Sequence, residues 1–177
     1  MKDFAVGLGE FYAISPNYTG HRAVNRLNTD EFYMRRVLEL AAQAGMAGEV
    51  PVGALVVRDG EVIGEGYNQP ISGCDPTAHA EIVALRDAAA NINNYRLTGC
   101  DLYVSIEPCT MCVGAMIHSR VQRVIFGAKE PRAGALTSQL QLMDSNHFNH
   151  SIEWQGGLLE QECGDMMSEF FRRKRSK

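Results

Sequence analysis

No stretch of the 177-residue sequence approaches the roughly 18 consecutive apolar residues that suggest a membrane span. The opening residues Met1-Lys2-Asp3-Phe4 also lack the basic-then-apolar order of a secretory signal, so a cytoplasmic protein is expected. Cysteines number five, an odd count, and two of them stand three apart as Cys109-x-x-Cys112. That pattern argues against a disulfide framework and for thiolate chemistry or metal binding. Cationic excess is missing too: 17 Lys and Arg face 21 Asp and Glu, a net charge of -4, which at first speaks against a polyanionic partner. Positive charge is concentrated instead in Arg172-Arg173-Lys174-Arg175, with Arg120, Arg123, Lys129 and Arg132 scattered beyond Cys112. The chain shows no internal repeat and no low-complexity segment. Its apolar content, 45%, is that of an ordinary globular domain, and its length suits one compact unit.

Residues 1–28 hold Gly7, Gly9, Pro16 and Gly20 without a sustained period and read as an N-terminal extension; residues 29–177 read as the domain. Asn28, with Glu31 three residues on, is a candidate N-cap for a helix whose apolar positions Phe32, Val37, Leu40, Ala41 and Ala44 recur until Gly48. Asp59-Gly60 between two β-prone runs, 52–58 and 61–68, predicts a hairpin. Thr77 is a candidate cap for an alanine-rich helix through Ala90, which places His79 near its start. A strand over 101–105 leads to Pro108, which suits the first position of a helix carrying Cys109 and Cys112. Strands at 121–127 and 152–154 and a closing helix over 158–174 complete the pattern, with an irregular segment at 128–150. Alternating strands and helices give an α/β sandwich.

The chemistry lies in His79-Ala80-Glu81 and Pro108-Cys109-Thr110-Met111-Cys112. Zn²⁺ takes imidazole and thiolate ligands, and a catalytic site uses three of them so that the fourth tetrahedral position stays open to water. His79, Cys109 and Cys112 supply three, and a helix start favours the thiolate forms. Zinc lowers the pKa of water from about 15.7 towards 7. Glu81, two residues past His79, is the candidate general acid and base: it takes the water's proton, passes it to a ring nitrogen and then protonates the departing amine. A closed structural zinc site would need a fourth protein ligand, and His21, His118, His147 and His150 stand at no recognisable spacing for it. Such a site would also leave Glu81 without a use. Cys74, Cys100 and Cys163 read as small buried hydrophobes, and His118 as a packed histidine.

His-x-Glu followed by Pro-Cys-x-x-Cys is the signature of the zinc nucleobase deaminases of the cytidine deaminase superfamily. Further segments carry a closer resemblance: Glu49-Val50-Pro51-Val52-Gly53-Ala54, Gly64-Glu65-Gly66-Tyr67-Asn68, Asn94-Tyr95-Arg96-Leu97, Glu107-Pro108-Cys109 and Gly114-Ala115-Met116-Ile117-His118-Ser119-Arg120. With these the chain resembles the bacterial tRNA adenosine deaminases from about Glu31 onwards. The resemblance implies a three-layer α/β/α sandwich with a central mixed sheet, cytidine-deaminase-like, with one Zn²⁺ per subunit and a homodimer. It implies hydrolysis of the wobble adenosine of a tRNA anticodon stem-loop to inosine, the base being turned out of an unpaired loop. Asn68 is implied to bond the purine, Asn149 to lie near the target nucleotide, and Glu130 to sit in a loop that contacts RNA. Phe170-Phe171-Arg172 matches a C-terminal helix that contacts the anticodon loop, with core packing as the alternative for either Phe170 or Phe171. Pro131 after Glu130 stiffens that loop. Two alternatives remain: a deaminase of a free base or nucleotide such as cytosine, guanine or deoxycytidylate, and a non-catalytic zinc-stabilised RNA-binding module that could dispense with Glu81.

Overall fold

The computed structural model describes residues 23–145 and 147–176, so most of the proposed extension lies outside the described residues. Helix α1 spans Ala23–Met46. It therefore starts ahead of Asn28, which is helix-interior rather than an N-cap, because Ala23-Val24-Asn25-Arg26-Leu27 contains no Gly or Pro to stop propagation. Strands β1 (Gly53–Arg58) and β2 (Glu61–Tyr67) form the expected hairpin. Its turn residues Asp59 and Gly60 both have positive φ, 53° and 87°, as a type I′ turn requires. Helix α2 (Ala80–Asn91), strand β3 (Cys100–Ile106), helix α3 (Thr110–Ser119), strand β4 (Arg123–Ala128), strand β5 (Glu153–Gly156) and helix α4 (Glu160–Arg175) follow. One 3₁₀ turn, Leu142–Asp144, interrupts the otherwise irregular 128–150 segment.

The sheet is mixed, in the order β2-β1-β3-β4-β5, with β1 antiparallel to both neighbours and β3, β4 and β5 parallel. Side chains alternate faces along each strand, so the close contacts at glycines assign the layers. A Cβ at Gly64 would lie 2.5 Å from the Ala88 nitrogen of α2, and one at Gly53 would lie 2.7 Å from the Ala41 nitrogen of α1. Gly64 pairs with Val56, on the opposite face of β1 from Gly53, so α1 and α2 cover opposite faces. A Cβ at Gly127 would run into Cys163 of α4. Gly127 shares its face with Ile125, Tyr103 and Leu55, which puts α4 beside α1. The order is therefore α2 and α3, sheet, α1 and α4: the expected three-layer α/β/α sandwich.

The core is apolar on both sides of the sheet, and one buried ionic group ties α1 to the strand starts. Arg123 Nη1 and Nη2 donate to Asp30 Oδ2 and Oδ1 at 3.0 and 2.9 Å, and Nη2 also donates to Asp101 Oδ2 at 2.7 Å. Tyr103 Oη donates to Asp30 Oδ1 at 2.6 Å. Burial, together with Asp30 and Asp101, pushes the Tyr103 hydroxyl well above the usual phenol range, although Arg123 pulls the other way. Two expected burials differ. Cys100 and Cys163 are buried, whereas Cys74 is exposed in the loop ahead of α2. His118, expected to pack, is exposed because it falls on the outer side of α3, while Met116 and Ile117 face the sheet.

Removing Asp30 leaves the buried Arg123 with Asp101 as its remaining carboxylate partner. Asp30→Ala is expected to cost about 3 kcal/mol in urea unfolding, because breaking a buried pair strands a charge. Arg36→Ala, whose pairs with Glu39 and Glu65 are solvent-accessible, should cost about 1 kcal/mol or less. Similar small losses in both variants would show that the Asp30 cluster is no structural tie.

Candidate metal centre and active site

His79 and Cys109 are the N-cap residues of α2 and α3, both in extended backbone conformation (ψ 151° and 172°), and neither side chain caps its helix. Histidine and cysteine are poor caps, and here both side chains turn into a shared cluster instead. Thr77, the expected cap of α2, donates its hydroxyl to Asp75 Oδ1 at 2.7 Å. The α2 start is served by Asn68, whose Oδ1 accepts the Ala80 N–H at 2.9 Å. Cys112 stands at the third residue of α3, where an N3 side chain naturally faces the N-cap, so Cys109 and Cys112 meet across the helix start.

The three atoms form a near-equilateral triangle: His79 Nδ1 lies 3.7 Å from each Sγ, and the two Sγ lie 3.7 Å apart. Tetrahedral zinc with Zn–S of about 2.3 Å and Zn–N of about 2.0 Å sets two sulfurs about 3.8 Å apart and sulfur to nitrogen about 3.5 Å. The residues fit that ion, and this is the cluster of three potential ligands found among the described residues. Among the described residues no fourth protein ligand joins the cluster, and His118, His147 and His150 stand outside it.

Electrostatics follow the geometry. The Cys109 thiol is held down at about 4, chiefly by its contact with Cys112 and also by His79. Cys112 is pushed up by that same contact, by burial and by Glu81. His79 is raised first by its hydrogen bond with Cys109. The contact that favours one thiolate thus opposes the other, and a metal ion that binds both sulfurs must take them as thiolates. Glu81 is 4% exposed at the second position of α2, and burial raises its pKa above the ordinary carboxylate range. Its own backbone N–H and His79 oppose that rise.

The remaining expected site residues are more dispersed. Asn68 is buried beside the cluster, and among the described residues no protein acceptor is paired with its Nδ2. Glu130 accepts the Arg132 N–H at 2.9 Å and so closes its own turn. Asn149 is exposed and tied to Arg120, the C-cap of α3: Arg120 Nη1 donates to Asn149 Oδ1 at 2.9 Å and to its carbonyl at 3.1 Å. Phe171 and Arg172 are exposed on α4, in the layer across the sheet from α2 and α3. Phe170 is half-buried and lines a groove of about 490 Å³ with Met46, Pro51 and Met166, and neither phenylalanine belongs to the core.

Two buried glutamates carried no signal of their own in the sequence beyond their place in matched segments. Glu49 Oε1 accepts the N–H groups of Ile71 and Ser72 at 3.0 and 2.7 Å and the Ser72 hydroxyl at 2.9 Å. Glu107 holds the loop after β4 through Glu130, Leu136, Thr137 and Ser138. Burial alone would raise Glu107, but bonds from Ser138, Thr137 and Glu130 outweigh it and hold the carboxyl below its ordinary value.

Residues 27–128 match the family described as the cytidine and deoxycytidylate deaminase zinc-binding region. The tRNA-specific adenosine deaminase of Haemophilus influenzae is 50% identical over 151 residues, 85% of this chain and 87% of that protein. A solved tRNA:A34 deaminase, studied for A-to-I editing at the wobble position of transfer RNA, superimposes with a TM-score of 0.75 at 38% identity over 76% of this chain and 98% of its own. A guanine deaminase from Nitrosomonas europaea superimposes with a TM-score of 0.70 at 29% identity, covering 79% and 83% of the two chains.

Zinc binding to metal-free protein should release protons, seen as calorimetric heats that vary with buffer ionisation enthalpy, because Cys112, whose thiol is pushed up, must bind as the thiolate. Affinity should fall as pH falls. Cys112→Ala should bind no stoichiometric zinc by elemental analysis. Buffer-independent heats would show that Cys112 is already a thiolate in the metal-free protein.

Proposed function

The chain belongs to the cytidine and deoxycytidylate deaminase family, and on that premise we propose that it hydrolyses the wobble adenosine of tRNA to inosine. The observation that carries the chemistry is the three-ligand triangle with a buried carboxyl beside it. His79 Nδ1 and the Sγ atoms of Cys109 and Cys112 would hold the zinc, one ion per subunit. Zinc bound there supplies the Lewis acidity that makes water nucleophilic near neutral pH. Glu81 moves the protons. It accepts one from the attacking water and places it on N1 of the adenine so that C6 becomes electrophilic; it then takes a second proton from the new C6 hydroxyl and delivers it to the leaving amine. Water and adenosine give inosine and ammonia, and Glu81 ends as it began. Its raised proton affinity suits both halves of that task.

Asn68 is fixed through Oδ1 at the α2 start, which leaves its Nδ2 to donate to an acceptor on the purine. Glu130, Asn149, Phe171 and Arg172 are proposed RNA contacts, the last two on the basic end of α4. Phosphate neutralisation by that end offsets the acidic sum of the chain, since binding responds to local charge. The domain is proposed to comprise residues 29–177, to act in the cytoplasm and to pair as a homodimer. No helix among the described residues is long and apolar enough to cross a membrane.

The similarity to a guanine deaminase keeps a free-base substrate in the test. Zinc-loaded protein is incubated with an anticodon stem-loop carrying a wobble adenosine, and separately with free adenosine, cytidine and guanine. Inosine from the stem-loop alone is the expected result, whereas turnover of only a free base or nucleoside reassigns the substrate. Glu81→Gln should retain zinc and lose about 10²- to 10⁴-fold in turnover, the range a general acid and base contributes. Normal turnover in that variant would remove Glu81 from the mechanism.

A further inference from the structure

Glu107 is buried, 3% exposed, two residues before the metal-ligand candidate Cys109. Its Oε1 accepts the N–H groups of Leu136, Thr137 and Ser138 at 3.1, 2.7 and 3.0 Å and the Thr137 hydroxyl at 3.3 Å. Its Oε2 accepts the Glu130 N–H at 3.2 Å and the Ser138 hydroxyl. Both limbs of the 129–138 loop therefore converge on a single side chain. The loop backbone closes over the same segment: Ala135 N–H donates to the Pro108 carbonyl at 2.9 Å, and Gly134 forms an isolated bridge with Cys109. Gly134 sits directly on the carboxylate, where a Cβ would collide with Glu107 Cδ and both oxygens.

This is more than loop closure. The loop carries Lys129, Glu130 and Arg132 on its outer limb and is attached through its inner limb to Cys109. A shift of the loop relative to the cluster must break charge-assisted bonds to a buried anion. We propose that Glu107 is a positioning residue: it registers the 129–138 loop against Cys109, so that the loop's outer limb meets tRNA at a fixed distance from the reacting base. The inference rests on the wobble-adenosine reading above. It assigns Glu107 no contact with substrate.

Glu107→Gln separates the two limbs. The amide oxygen can still take the 136–138 N–H groups, but the amide NH₂ then faces the Glu130 N–H, donor against donor, and the outer limb is released. The test is steady-state deamination of the stem-loop by zinc-loaded full-length protein, with zinc content and thermal midpoint measured alongside. Expected is a KM for the stem-loop raised about 10-fold with kcat changed less than about 3-fold, the scale of a lost charge-assisted hydrogen bond, and zinc retained. Hydrogen exchange should quicken at Glu130 more than at Leu136. If Glu107→Gln does not fold, Thr137→Val with Ser138→Ala removes two hydroxyl donors and keeps the carboxylate; its KM should still rise about 3-fold. An unchanged KM in the folded variant, or a loss confined to zinc content and kcat, overturns the positioning role and leaves the deaminase reading intact. A wild-type protein that converts no stem-loop overturns both.

Discussion

Two helices start at one end of one sheet face, and the candidate site exists because their first residues arrive within contact of each other. For α2 the constraint is its approach to β2. Gly64 and Gly66 let the helix backbone rest on the strand, and a side chain at Gly66 would strike the Ala80 carbonyl, one residue from His79. For α3 the constraint is the short link from β3 through Glu107 and Pro108. Backbone contacts of this kind move only by shifting whole elements, since packed interiors deform little. The 3.7 Å triangle is thus set by helix docking, and the N-cap and N3 positions of α3 do the rest.

The same arrangement tunes acids in opposite directions. Helix starts favour anions, which suits two sulfurs that must bind a cation as thiolates. Glu81 sits at an equally favourable helix position, yet burial dominates and raises its proton affinity. A carboxyl that ionised too readily would accept a proton poorly, and a shuttle has to do both. What separates the candidate ligands from the proposed shuttle is therefore how far each group is removed from solvent and what faces it, with the helix dipole common to all.

The grouping of the motif residues was legible because it depends on short local spacing. His79 and Glu81 share one helix turn, Cys109 and Cys112 another, and Asp59-Gly60 dictates its turn by the positive φ it permits. Asn28 and Thr77 misled because capping depends on where the chain turns, and Ser, Thr, Asn and Asp also serve loops. Thr77 is engaged by Asp75, and α2 takes its acceptor from Asn68, twelve residues upstream. Cys74 and His118 misled because burial of a single residue depends on which side of an element faces the core. Glu49 and Glu107 were invisible as anchors: a glutamate reads as surface until the strands around it are in place.

These two glutamates explain why the irregular segments beside the site are ordered at all. Loop backbone cannot leave its polar groups unpaired where it is covered, and neither 69–75 nor 129–138 joins the sheet. Glu49 precedes β1 and Glu107 follows β3, and those strands run antiparallel as neighbours, so both carboxylates emerge at the same end of the sheet. Each offers oxygens to several N–H groups that a strand would otherwise have satisfied. A buried carboxylate is costly unless such donors surround it, so loop and anion stabilise each other. One loop leads from Asn68 towards His79 and the other folds back over Cys109. The sheet end therefore places both loops beside the cluster with the same type of contact that places its candidate ligands: a side chain or backbone held from a rigid strand.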